Sequence, residues 1–129
     1  MSLHKRTLGK LASAACWLLL GTLLIETVDY VFDARLRART VPKCRWTDNS
    51  SAPDPFPYLA RWCFLTKEVV MLRLYDKEGR TLLAERMFDY PDFPRIYWKS
   101  KKLGYQTLTG DDEIALPPSK LDLWRTRLP

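Results

Sequence analysis

The stretch "VVMLRLYDKEGRTLLAERMFDY", Val69 to Tyr90, sets two runs rich in large apolar residues on either side of four polar ones. Asp76 opens the connection and Gly79 closes it, which suits a type I turn ending on a left-handed glycine. The spacing predicts an antiparallel hairpin of Val69 to Tyr75 and Arg80 to Tyr90. In the first run Val70, Leu72 and Leu74 share a face with Arg73 opposite, so one side is core and the other mixed.

Downstream, "FDYPDFPRIYWKSKK", Phe88 to Lys102, removes two backbone donors at Pro91 and Pro94, and this excludes a central strand. Each proline biases its predecessor, Tyr90 or Phe93, toward extended backbone. The segment is expected to leave the sheet as a stiff arm and to rejoin it as an edge through Ile96, Tyr97 and Trp98. Lys99, Lys101 and Lys102 then suit a solvated edge or loop that discourages intermolecular pairing.

Thirteen of the sixteen aromatics follow Arg39, and so small a domain needs large side chains for its core. The other reading is that Tyr97, Trp98 and Tyr105 stand beside Arg95 and Lys99 as an exposed platform for a protein, glycan or anionic lipid group. Both stay open. Farther on, Glu113 to Leu116 reads as a strand. Ser119 with Asp122 fits a helix cap, predicting a terminal helix from about 119 to 127, with Arg125 and Arg127 favourable to its dipole. Leu121, Trp124 and Leu128 share a face, so Trp124 is expected to plug the core.

Upstream, Val41 to Thr47 and Ala60 to Thr66 read as short strands around a proline-rich loop. Each contains a cysteine, Cys44 and Cys63. An even pair in a small domain is expected to form a disulfide in an oxidising compartment; in a reducing one it would be two buried free thiols.

The segment "LASAACWLLLGTLLI", Leu11 to Ile25, carries no charge and follows His4, Lys5, Arg6 and Lys10. A basic tail (1–10) before an apolar helix is the pattern of a signal or an anchor. Glu26, Thr27, Val28, Asp29 and Tyr30 offer no small-residue cleavage site. Most of the apolar run lies after Cys16, which argues against lipid attachment there. Counted from Leu8 with Lys10 snorkelling, the span rises about 27 Å, enough to cross with slight thinning. The rival reading is a core helix of a soluble protein.

Beyond the anchor, Glu26, Asp29 and Asp33 alternate at helical spacing with Val28, Val31, Phe32 and Leu36. A helical neck (26–40) is therefore expected, lying on a surface or meeting a partner helix. Lys5, Arg6 and Lys10 favour a cytoplasmic N-terminus; Arg35, Arg37, Arg39, Lys43 and Arg45 argue the reverse, but from farther out.

The net charge of +6 divides evenly, with six basic residues against three acidic up to Pro42 and fifteen against twelve after it. No dense basic stripe results, and nucleic acid is not an expected partner. The only histidine is His4, in the tail. Ser-His-Asp, Cys-His and histidine-metal chemistry therefore cannot be assembled in the domain. Asp111, Asp112 and Glu113, with Asp89 and Asp92, form no recognised ligand spacing and read as solvated loop, so no metal and no cofactor are expected.

The expected fold is α+β: a transmembrane helix (11–25), a neck, and an antiparallel domain (41–129) with a short C-terminal helix. The expected function is non-enzymatic, an accessory or interaction subunit of an envelope complex. The protein would sit in the bacterial inner membrane with its domain in the periplasm; its partners would be the bilayer and another protein. An inhibitor or immunity-type protein is the alternative, and a carboxylate-dependent hydrolase trails both.

Overall fold

The computed structural model describes residues 3–49 and 57–128, with side chains from Lys10 onward. The chain divides into two compact units, Met1–Ala38 and Arg39–Pro129. The proline-rich loop expected between the cysteines lies mostly outside the described residues.

The first unit is a helix, α1 (Leu3–Thr40), which runs on into the first residues of the second. Its 38 residues span about 57 Å. From Leu3 onward the stretches read from sequence as tail, span and neck are one uninterrupted helix, with no proline to break it. It is long and apolar enough to cross a membrane, as a signal sequence also is. Leu11, Trp17, Leu18, Leu23 and Leu24 are all exposed, whereas the core helix of a soluble protein buries such side chains. The hydroxyls of Thr22 and Thr27 donate back to the carbonyls of Leu19 and Leu23, at 2.9 and 2.5 Å, which satisfies them without water.

A 3-10 turn, Val41–Lys43, follows α1. The strand expected from Val41 to Thr47 shrinks to β1 (Thr47–Asp48), because Pro42 sits in the first turn of a helical segment, where its fixed φ and missing N–H cost nothing. Next come β2 (Tyr58–Phe64), β3 (Val69–Asp76) and β4 (Leu82–Asp89), which complete a four-stranded antiparallel sheet in the order β1-β2-β3-β4. The β3–β4 turn follows the sequence reading closely. Gly79 has φ +69° and its amide donates to the Asp76 carbonyl, while the Asp76 carboxylate accepts from the Arg80 amide.

The arm after Tyr90 does not rejoin this sheet. It starts a second one, β5 (Ile96–Lys99), β6 (Lys102–Thr107) and β7 (Gly110–Ala115), with β5 as an edge. Lys102 is in the central strand, not a loop, and pairs with Lys99 on one side and Ala115 on the other. Asp111, Asp112 and Glu113 are likewise strand residues.

The two sheets share one core. Ala60, Trp62, Val70, Leu72, Leu74, Ala84 and Phe88 from the first meet Leu103, Tyr105 and Ile114 from the second. Phe88 and Tyr105 stack at 4.8 Å between ring centroids. β3 is buried on its other face too, where Cys63, Leu65 and Met71 form a smaller cluster with Val41, Cys44, Trp46, Val69 and Met87. The Cys44–Cys63 disulfide lies within this cluster, with 6.0 Å between the Cα atoms.

The C-terminal helix is α2 (Lys120–Arg125). Ser119 and Asp122 form a reciprocal capping box, as the sequence predicts. Trp124, however, does not enter the core: it and Leu121 are exposed. Asp122 is the buried residue, and it receives a 2.5 Å bond from the Arg86 guanidinium on β4.

Gly104 exists for its neighbour. A Cβ there would stand 2.4 Å from the ring of Tyr97, its partner across β5 and β6. The Tyr97 ring thus closes over the glycine, an aromatic cover on a weak strand position. Gly104→Ala is expected to eject that ring and cost about 1–2 kcal/mol, measured by urea denaturation.

Candidate interaction surface

Strand alternation sorts the residues that the sequence grouped as one platform. Tyr105 turns inward and is only 2% exposed, its hydroxyl donating to the Asp112 carboxylate at 2.8 Å. Burial, reinforced by Asp112, pushes that phenol above its ordinary value. Trp98 also turns inward and packs against the main core, half-buried. Tyr97 and Lys99 turn outward together, the Lys99 ammonium 5.2 Å from the Tyr97 ring centroid. Arg95 is exposed just before β5, its carbonyl accepting from the Gln106 amide. The five candidates therefore divide into two core aromatics and an outward set of Arg95, Tyr97 and Lys99.

The carboxylates of β7 are divided in the same way. Asp112 faces inward to Tyr105; Glu113 faces outward and pairs with Lys102. Desolvation of the Tyr97 phenol and the neighbouring Asp111 raise its titration above the ordinary tyrosine value. Removing the ring from its seat by Gly104→Ala should return that titration toward normal, visible in ultraviolet difference spectra. Asp111 and Glu113 share the outer face of β7, both close to Tyr97, and only Asp112 lies on the other face.

The sequence reading missed the most exposed aromatic among the described residues of the second unit. Phe93 lies between the two prolines of the arm and is 74% exposed. Its ring stands edge-on to Trp62 at 5.4 Å, and Trp62 meets Phe64 in the same manner at 5.6 Å. Trp62 belongs to the core, so this ridge is rooted in the sheet and ends in solvent. Pro91 and Pro94 brace it by fixing their φ angles, and Asp92 caps the Phe93 amide at 2.8 Å. The available signal was the proline spacing itself, which takes Phe93 out of the strand alternation that turns its neighbours inward.

A third group is the outer side of α2, where Leu121 and Trp124 are exposed, with Leu128 exposed in the segment that follows the helix. Asp122, on the opposite side, is held by Arg86 and by the Ser119 hydroxyl at 2.7 Å. Burial opposes ionisation of Asp122, but Arg86 and Ser119 outweigh it and hold the carboxyl below its usual range.

Comparison with protein-family models, curated proteins and solved structures found no match to this chain.

Proposed function

We propose that this chain is a non-enzymatic single-pass protein of the bacterial inner membrane, N-terminus cytoplasmic, whose periplasmic domain is an accessory or interaction subunit of an envelope complex. The observation that carries this reading is the Phe93 ridge, a solvent-facing aromatic fixed by two prolines and backed by Trp62. Rigid aromatics of this kind lose little entropy on binding and are enriched at the centres of protein interfaces. The membrane assignment is supported by the exposed apolar face of α1, and the compartment by the Cys44–Cys63 bridge. The pairing of the β7 carboxylates with Tyr97, Tyr105 and Lys102 supports a role without catalysis.

The same projecting Phe93 also suits an inhibitor or immunity-type protein, in which it would plug a partner's cleft. A photocrosslinking residue placed at Phe93 in cells tests both. One discrete adduct with a membrane protein supports the accessory reading, and an adduct with a soluble hydrolase or toxin supports the inhibitor. No adduct beyond that of a control at Lys77, in the β3–β4 turn, overturns the ridge as a binding site. Phe93→Ala should change domain stability by less than about 1 kcal/mol by thermal melting, while abolishing the adduct's native counterpart in pull-downs.

A further inference from the structure

The buried side of α2 leaves the helix with an outer side of definite chemistry. At about 100° per residue, Leu121 and Trp124 lie about 60° apart on α2 and Asp122 is turned away from them against Arg86, while Leu128, just beyond the helix, is also exposed. Lys120 flanks this sector on one side and Arg125 on the other, Arg127 follows in the turn after the helix, and all three are exposed. The helix's acid, Asp122, is the residue turned inward. An apolar strip centred on tryptophan and bordered by cations is the arrangement that seats a short helix at the headgroup level of a bilayer.

We propose that the outer side of α2 docks on an anionic phospholipid bilayer, the same membrane that α1 spans. This rests on the membrane-anchor reading of α1. Charge selects the occupant: a second copy related by a two-fold axis would set Lys120, Arg125 and Arg127 against their own like charges, whereas anionic headgroups complement them. Tethering raises the local concentration of bilayer, so a strip this small suffices. Trp124 then sits among the headgroups, and the domain is held close to the membrane by two points instead of one.

The test uses the full chain with Trp17→Phe, which removes the tryptophan inside α1, reconstituted in nanodiscs. The discs contain brominated phosphatidylcholine, either alone or mixed with phosphatidylglycerol. The emission of Trp124 is the difference between this chain and the same chain carrying Trp124→Phe. Docking predicts that bromine lowers it by roughly half or more in the anionic discs. It also predicts that Arg125→Glu with Arg127→Glu, or high salt, restores it. Unquenched Trp124 in anionic discs that retain the chain overturns the docking and leaves the anchor intact. A chain that does not co-elute with any disc overturns the anchor, and the docking with it. Quenching equal in both lipids and insensitive to salt overturns the anionic selection.

Discussion

Arg86→Ala is expected to release α2 from the domain and to lower stability by about 3 kcal/mol. The guanidinium reaches Asp122 across 36 residues of sequence, and the carboxylate it leaves behind is nearly buried. Removing one partner strands a charge that was desolvated in expectation of the other, and that is costlier than losing the attraction alone. Asp122→Asn leaves one acceptor oxygen where two are used, so it keeps either the Ser119 contacts or the Arg86 bond and loses the other. The same pair gives the domain a pH dependence with a definite sign. The Asp122 carboxyl titrates below its unfolded value. Its contribution is therefore complete above the unfolded pKa, near 4, and is lost as the pH falls through the lower folded value. Urea titrations at neutral pH and in acid should show Arg86→Ala losing most of its penalty in acid, where the wild type has protonated the same group.

Opening the Cys44–Cys63 bridge, by reductant or by Cys44→Ser with Cys63→Ser, is the second large effect expected. The bridge spans 19 residues, so chain entropy alone assigns it about 3 kcal/mol. It also pins the Val41–Lys43 turn and Trp46 over Cys63, Leu65 and Met71, and without it that smaller cluster loses its cover. For a domain of this size the melting temperature should fall by about 10–20 °C. A fall below about 3 °C would mean that the outer cluster holds without its staple.

Local chemistry was readable where it was self-contained. Asp76 and Gly79 specify their turn within four residues; Val70, Leu72 and Leu74 specify the inward face of β3; Ser119 and Asp122 specify the start of α2. The cysteine pairing followed from parity. The second sheet was not readable as a sheet, because β6 contains Lys102 and Gly104, residues that by themselves suggest an edge or a loop. Only the Tyr97 ring over Gly104 makes that position a sound central strand.

Trp124 misled for a related reason. Its helical phase with Leu121 marks an apolar side correctly but does not say which way that side points, and Leu128 lies beyond the end of α2. The direction is decided by Arg86, a residue on β4. Phe93 was hidden in plain view, since an arm that leaves a sheet was read for its backbone and not for what its side chain would do in water. Tyr105 stays undecided between core and surface in the sequence because its inward companions, Leu103 and Ile114, declare themselves only once β6 and β7 are paired.

The central claim is that α1 holds the chain in a membrane while the domain matures where thiols oxidise. Mass-tagging of thiols in the full-length chain, taken from membranes washed with alkaline carbonate and denatured before labelling, tests both halves at once. The chain has three cysteines. One tag before reduction, on Cys16, and three after it, in the membrane pellet, is the predicted result. Three tags without reductant, or a chain washed into the supernatant, would contradict it.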